Sequence, residues 1–508
     1  MRSAVFLAGL VLAGTSPLPV AAQRSGGTAA PPAVTRELRA AWIASVSHID
    51  WPSRPGLSSE VQQDELRSIL DSLARLGMNA AILQIRPAAD ALYASELEPW
   101  SVYLTGEQGR APEPFYDPLA FAIEEARARG LELHAWFNPY RAWHPSGQGT
   151  PAATHISRTR PDLVRRYGRH LWLDPGEPEV QDHSVAVILD VVRRYDVDGV
   201  HIDDYFYPYR ERDSAGALID FPDDSSWARY RAGGGRLGRD DWRRDNVDRF
   251  VERLYREIKQ EKAWVKFGVS PFGIWRPGHP PQIRGFDAFA EIYADARKWI
   301  EAGWVDYFAP QLYWAIGQRE QSYPVLLRWW VGRNAHGRHI WPGNFTSRIE
   351  STSPPRWGAT EILSQIRATR AERGATGNIH FSVKAITQNR NGIADSLATG
   401  AYGAPAAVPA SRWLGPPPRA RPALRAWGDH VEEGEVTVTF RPPDGDVVRR
   451  WVVRARYGNE WRLWLAPGHH RSATVPPLAG RVADEVAVSL LDRAGNEGPV
   501  ARAPTGAR

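Results

Sequence analysis

The chain has no cysteine and only two methionines in 508 residues. Without a thiol there is no disulfide, no Cys-ligated zinc, no thiol nucleophile and no Cys to carry a lipid anchor. Beyond the N-terminus no segment reaches the ~20 consecutive apolar residues that a membrane-spanning helix requires. Excess charge of one sign is scarce too. The net charge is +5, with Lys and Arg scattered among Asp and Glu and no basic tail, so no nucleic-acid partner is expected. No Gly-rich phosphate loop, Walker loop or Gly-x-Ser-x-Gly elbow is present, which removes the usual signatures of dinucleotide binding, phosphoryl transfer and acyl transfer. His48, His134 and His201 stand apart, without His-x-x-His spacing. The one mixed set is His201 with Asp203 and Asp204, and neither a metal nor a cofactor is expected.

What is present is a globular composition, 43% hydrophobic and 24% charged, with 22 Trp and 17 Tyr. Large aromatics fill large cores; those left exposed in a cleft suit stacking against sugar rings. The length suits a barrel-sized domain plus a small one. Met1-Arg2-Ser3, an apolar run over 4–13 and Val20-Ala21-Ala22 read as a secretory leader cleaved after Ala22, hence export to periplasm or medium. A disordered lead-in is expected over 23–35.

From Arg39 onward, strand-like runs alternate with amphipathic helices. The runs cover 41–47, 80–86, 132–137, 199–204, 266–270, 305–312, 339–343 and 378–385. Between them Leu66, Ile69, Leu70 and Leu73 recur at helical spacing, with Gly77 as the stop. Val185, Ile188, Leu189 and Val192 repeat the stripe, as do Val247, Phe250, Val251 and Leu254. Eight strands alternating with helices predict a (β/α)8 TIM barrel over 36–404. A doubly wound open sheet is the runner-up, disfavoured by the missing phosphate loop. A barrel puts its active site on the loops after the strands, and three of those are long: 87–117, 138–178 and 205–241.

Residues 405–422 are rich in Pro and Ala and read as a linker. Alternating runs at 436–440, 451–456, 461–465 and 485–491, with turn signals between, predict a small all-β sandwich of immunoglobulin or fibronectin type over 423–505. Trp461 and Trp464 are candidates there for binding carbohydrate.

The run from Val197 to Pro208 carries the most chemistry. It is a short apolar strand ending in Asp203-Asp204, followed by Tyr205-Phe206-Tyr207. Strand parity puts Val200 and Ile202 on one face and Gly199, His201 and Asp203 on the other. In a barrel His201 and Asp203 then point inward, with Asp204 at the lip. Two carboxylates this close repel, which raises one pKa and makes a general acid feasible near neutral pH. The plainer alternative is that Asp203 pairs with an arginine and Asp204 caps a turn. Other strand ends offer Asp90 or Glu98 as a second carboxylate and Arg86 to hold an acid. They also offer Asn138, Tyr140 and Arg141 after strand three, Ser270 and Trp275 after strand five, Gln311, Tyr313 and Trp314 after strand six, and Lys384 after strand eight. Together with His201 and Tyr205 these form the expected substrate-binding set, with Asp203, Asp204, Asp90 and Glu98 as the catalytic candidates.

Arg39-Ala40-Ala41-Trp42, Gln84-Ile85-Arg86-Pro87, Trp136-Phe137-Asn138-Pro139-Tyr140-Arg141, the 198–208 run, Ser270-Pro271-Phe272-Gly273 and Gln311-Leu312-Tyr313-Trp314 occur in one order. In these motifs, from about Arg36 to Pro409, the chain resembles the glycosyl-hydrolase-like 10 family, formerly a domain of unknown function. The resemblance implies a TIM-barrel hydrolase of glycan chains. Members resemble a divisome-associated glycosidase that cuts denuded peptidoglycan, strands already stripped of stem peptides. That relative is a lipoprotein, whereas this chain has no Cys for a lipid. The fourth strand also echoes the Asp-Gly-x-Asp-x-Asp-x-Glu pattern of chitinase-like barrels at Asp198, Gly199 and Asp203. It departs from that pattern at His201 and at Tyr205, where the catalytic Glu would stand.

The expectation is an exported glycoside hydrolase with a glycan partner. A non-catalytic glycan-binding barrel is the alternative, and a glycan-modifying transferase a third reading.

Overall fold

The computed structural model describes residues 21–23, 30–428 and 434–506. The expected leader lies outside them except for Ala21 and Ala22, which with Gln23 pair along an edge of the C-terminal domain. Among the described residues no helix is long and apolar enough to cross a membrane.

Parallel strands form the frame: β1 Leu38–Ile43, β2 Ala80–Arg86, β3 Glu132–Phe137, β4 Gly199–Ile202, β5 Lys266–Val269 and β6 Tyr307–Phe308. β7 spans 339–344 as the pairs His339–Ile340 and Gly343–Asn344, and β8 is Gly377–His380. β7 closes the barrel. Its first pair aligns with Tyr307 and Phe308 and its second with Ile379 and His380. Trp341 N–H donates to Phe308 O, and Pro342 O accepts from Ile379 N–H. Each remaining strand pairs in parallel with its sequence neighbours, and β8 pairs with β1. The architecture is the expected (β/α)8 barrel. The run at 305–312 shrinks to two paired residues, with Pro310 beyond them. The run at 378–385 stops at His380 because Asp50 accepts from the Ser382 hydroxyl and the Lys384 N–H, turning the chain into the helix Val383–Thr387.

Strand parity sorts the barrel. Ala41, Ile43, Leu83, Ile85, Leu133, Ala135, Val200, Ile202 and Val269 face the helices and form one continuous core with them. Ala40, Trp42, Ile82, Trp136 and Tyr307 face inward. On the same inward parity at the strand ends lie Gln84, Asn138 and Asp203. The interior is narrow. A Cβ on Gly199 would stand 2.6 Å from the His134 ring, and one on Gly268 would overlap the Tyr307 ring. Glycine at these two points lets large inward rings cross the barrel. The helices α1 Ser59–Arg75, α2 Pro178–Arg194 and α3 Arg239–Glu261 bury the stripes read from the sequence, Leu66, Leu70 and Leu73 in α1 among them.

The C-terminal domain is a β-sandwich. One antiparallel sheet holds Ala423–Gly428, Val436–Arg441 and Ser472–Val475. The other holds Arg450–Tyr457, Glu460–Pro467, Glu485–Leu491 and Ala501–Pro504. Trp461 and Trp464 are buried, so neither presents a face to a sugar. The domain docks under the barrel, at the N-terminal ends of the strands and away from the loops that follow them. Asp196, just before β4, is gripped by Arg127, Arg449 and Arg493, and Arg449 also reaches Asp198 at 3.0 Å. Burial pulls the Asp196 carboxyl upward, but the three guanidiniums outweigh it and bring it down to about 2. Two expectations are corrected here. The lead-in is ordered in its described part, where Val34 is buried and Thr35 pairs with Ala406. The linker is packed too: Ser411 is buried and Trp413 N–H donates to Asp306 at 2.8 Å. Apolar contacts with the sandwich face (Val34 and Ala407 against Val452, Leu463 and Leu465) fix segments whose composition alone reads as loose.

The long loop after β2 is pinned by a buried ion pair. Arg86 donates to Glu98 through Nε at 2.8 Å and Nη2 at 2.5 Å, and His183 approaches the same carboxylate at 2.8 Å. Removing one partner of such a pair strands the other charge. Glu98→Ala is expected to lower unfolding free energy by about 3–5 kcal/mol, read from the denaturant midpoint; a loss below about 1 kcal/mol would contradict this role. Asp196→Ala is expected to loosen the sandwich at a cost of roughly 1–2 kcal/mol, since the site is partly exposed. The readout is faster proteolysis between 408 and 422 with an unchanged barrel transition. The depressed carboxylate stabilises docking above its ordinary pKa, so wild type should show the same loosening as pH falls from about 4 towards 2.

Candidate active site

A cleft of about 250 Å3 opens at the C-terminal ends of the strands, lined by Trp42, Gln84, Trp136, Arg141, His144, Asp203, Asp204, Tyr205, Ser270, Gln311, Tyr313 and Phe381, with 44, 46, 47 and 49 completing the wall. Asp203 and Asp204 are the only carboxylates in that lining. Asp203 is 4% exposed and Asp204 2%, so the second acid is enclosed, not at the lip as parity suggested.

Asp203 is held by donors that cannot accept. Trp136 Nε1–H reaches Oδ2 at 3.0 Å, Asn138 Nδ2 reaches the same oxygen at 2.5 Å, and Tyr205 N–H approaches Oδ1 at 3.3 Å. The polarity of this set is fixed from below. The Ser45 and Val46 backbone N–H groups both donate to Gln84 Oε1 at 2.9 Å. Backbone amides can only donate, so Gln84 must turn its NH2 towards Asn138 Oδ1, 2.6 Å away. Asn138 must then turn its own NH2 towards Asp203. Arg86 Nη1 fixes the Asn138 carbonyl at 2.6 Å, tying this chain to the Glu98 ion pair.

Asp204 has a different setting. The Tyr209 hydroxyl bonds its Oδ2, and Gln311, whose Nε2 donates to Ser270 O at 2.9 Å, also bonds it. A hydroxyl can accept as well as donate, so a protonated Asp204 is accommodated. Burial pushes Asp204 up, and the neighbouring Asp203 charge adds to it, to about 7. Burial also pulls Asp203 upward, opposed by Arg141 and by the N–H donors on its oxygens. Of the two, Asp203 is built to carry the charge and Asp204 the proton.

Aromatic faces line the opening. Tyr313 stacks at 5.9 Å on Phe381, which meets Trp42 at 6.3 Å, and Tyr205 meets Tyr209 at 5.6 Å. Trp42 is anchored by its N–H to His201 Nε2 at 3.0 Å. That makes Nε2 an acceptor and leaves the His201 proton on Nδ1, facing the Tyr307 hydroxyl at 3.0 Å. Burial, and after it His134, push the His201 pKa well below its ordinary value.

Of the residues singled out from sequence, Asp203, Asp204, Arg141, Tyr205, Ser270, Gln311 and Tyr313 line the cleft, and Asn138 stands directly behind Asp203. The others lie elsewhere. Asp90 is buried under its own loop, accepting from Ala88 N–H and Gln108. Glu98 is consumed by Arg86 and His183; burial raises its pKa, but these partners bring it down to about 2, and Arg86 is equally enclosed. Tyr140 packs against Phe250 in the outer core. His201 lies in the barrel interior beneath the cleft floor. Trp275 stacks on Trp329 with its N–H on Asp295, and Trp314 turns towards Phe272. Lys384 sits outside the lining, with its backbone on Asp50. A strand end puts a residue on the right face of the barrel, but only inward parity, or a loop that folds back, brings it to the cavity. Gln84 and Trp136 carry that parity signal in the sequence. Trp42 closes the Arg39–Trp42 motif and His144 lies three residues past Arg141, with no pattern that marks either as lining a site. Phe381 lies just past β8, inside the strand-like run at 378–385 and on the inward parity of Ile379, while Tyr209 comes from a loop with no periodic signal.

The sequence profile of the glycosyl hydrolase-like 10 family matches residues 37–357. The chain is 45% identical over 388 residues to glycosyl hydrolase YngK of Bacillus subtilis (strain 168), covering 75% of this chain and 74% of that protein. It is 39% identical over 384 residues to glycosyl hydrolase DigH of Escherichia coli (strain K12), covering 69% and 85%. A solved glycoside hydrolase domain of PgaB (BpsB) from Bordetella bronchiseptica aligns with 72% of this chain and 98% of its own, at 13% identity and a TM-score of 0.44. On the profile match and the two sequence relatives, the chain belongs to the glycosyl hydrolase-like 10 family.

Proposed function

We propose that this glycoside hydrolase is exported and cleaves a bacterial cell-wall glycan, namely peptidoglycan strands stripped of their stem peptides. Asp204 is the general acid and base, and Asp203 its ionised neighbour. The observation that carries the reading is the carboxyl pair with opposed settings beneath aromatic walls. Protonated Asp204 gives its proton to the glycosidic oxygen as the bond to the anomeric carbon breaks. The Asp203 carboxylate, held by Trp136 and Asn138, faces the positive charge that grows at that carbon. Asp204, now ionised, takes a proton from the incoming water, restoring the starting state. Tyr205 and Tyr313 offer ring faces to the sugars, and Ser270 and Gln311 offer polar contacts. The cell-wall substrate is supported by the resemblance of the strand-end motifs to the denuded-strand glycosidase. Export is supported by the leader-like N-terminus.

Asp203→Asn and Asp204→Asn are each expected to slow release of reducing ends from peptide-stripped peptidoglycan by about 10²–10⁴-fold while keeping glycan binding. Wild-type rates in both variants would overturn the assignment, and a wild type that binds but cleaves nothing would favour a binding protein. Because Asp204 must hold its proton to act as the acid, kcat/KM should fall as pH rises through about 7. In Asp204→Asn that alkaline limb should vanish from the residual rate.

A further inference from the structure

Five arginines are buried among the described residues, and four of them face a carboxylate: Arg39 with Glu37 at 2.7 Å, Arg86 with Glu98 at 2.5 Å, Arg243 with Asp223 at 2.7 Å and Arg454 with Glu497 at 2.6 Å. The fifth is Arg141. It is 4% exposed, yet among the described residues no carboxylate oxygen lies within 4.0 Å of it. Its contacts are weak. Nη1 reaches Pro87 O at 3.4 Å, Nε has no partner, the guanidinium lies 4.3 Å from the centre of the Tyr205 ring and also meets the Tyr205 hydroxyl, and it acts on the Asp203 charge from beyond ion-pair distance. Enclosing a cation with no anion in ion-pair contact is costly, and an apolar side chain would fill the space more cheaply. Arg141, unlike the other four, lines the cleft.

A second donor stands beside it. His144 lines the same wall, and its Nδ1 accepts from Ser146 N–H at 3.1 Å. The ring proton is therefore on Nε2, for which the described residues provide no hydrogen-bond partner. Burial, then Arg141, His170 and Arg169, lower the His144 pKa to about 4, marking a locally positive field. The nearby Glu211 is engaged by His170 at 2.9 Å. Both donors are rigidly mounted: Arg141–Trp143 pairs with His170–Leu173, which pairs with Val164–Tyr167.

We propose that Arg141, assisted by His144, seats a carboxylate carried by a sugar of the substrate, so that the cleft selects an acidic glycan over a neutral one. This deepens the proposed function and rests on it for the identity of the sugar. A carboxylate on a glycan comes either from a uronate ring or from an acidic ether on the ring, such as the lactyl group of a muramic sugar. On a peptidoglycan strand the lactyl carboxyl is free only after its amide bond to the stem peptide has been hydrolysed. The competing role for Arg141 is to act through Asp203 alone, holding its charge.

The test is calorimetric binding to the full-length Asp204→Asn protein, with and without Arg141→Gln. The probes are peptide-stripped peptidoglycan oligosaccharides, the same oligosaccharides with the lactyl carboxyls reduced to alcohols, and oligogalacturonate. The expected result is that reduction weakens binding at least about tenfold and that Arg141→Gln abolishes the difference. Equal affinity for acid and alcohol forms in the Arg141-containing protein would overturn the proposal whatever the fate of the variant, and so would a preference that survives Arg141→Gln. Binding of oligogalacturonate alone, dependent on Arg141, would uphold the carboxylate seat and overturn the cell-wall reading. Binding of none of the three would overturn the seat.

Discussion

The site depends on the direction of one run of hydrogen bonds. It begins at two backbone N–H groups, Ser45 and Val46, and passes through Gln84 and Asn138 to Asp203. Neither amide in this run can flip without facing donor to donor. Asp203 therefore meets only donors on Oδ2, and the cost of burying its charge, which still leaves its pKa raised, is reduced by bonds that favour the ionised form. That charge, beside burial, is what drives the adjacent Asp204 to keep its proton. Two identical side chains, one peptide bond apart, acquire different chemistry because one is fed by N–H donors and the other by a tyrosine hydroxyl and Gln311.

The barrel supplies the rigidity this needs. Gln84, Asn138 and Asp203 lie at or just beyond the ends of three neighbouring strands, β2, β3 and β4, on the inward parity. Beneath them Trp42, His201, Tyr307 and His134 form a continuous polar and aromatic plug, made possible by glycine at 199 and 268. The Arg86–Glu98 pair holds the Asn138 backbone from the side. The sandwich grips the opposite end of the barrel through Asp196 and Asp198. Its docking therefore leaves the upper cleft open, and Trp451 and Trp464 serve its own core.

Much of this was legible in the sequence. Alternating strand and helix periodicity predicted eight strands and a barrel, and parity placed His201 inward and Val200 outward. The polar residues at the strand ends were found, but their roles were not separable. Arg86, Glu98 and Asp90 have the residue types of a hydrolytic site, and pairing in three dimensions spends them on each other and on their own loop. No local pattern reveals such a pairing, since Glu98 reaches Arg86 across a loop and His183 comes from α2. The ordered lead-in and linker were missed for a related reason: composition predicts what a segment can do alone, and the sandwich face decided what it does here. Tyr209 comes from an irregular loop that carries no period, whereas Phe381 continues the inward parity of β8 one residue past its end.

Asp203 ionises first and Asp204 second, and the most direct measurement of that order is a 13C NMR titration of the two aspartyl carboxyls in the intact protein. Asp203→Asn and Asp204→Asn assign the two signals. The expected result is one carboxyl, assigned to Asp204, titrating near 7, and the other ionising before it. Two carboxyls titrating together near the ordinary aspartate value, or Asp203 holding its proton longer than Asp204, would contradict it.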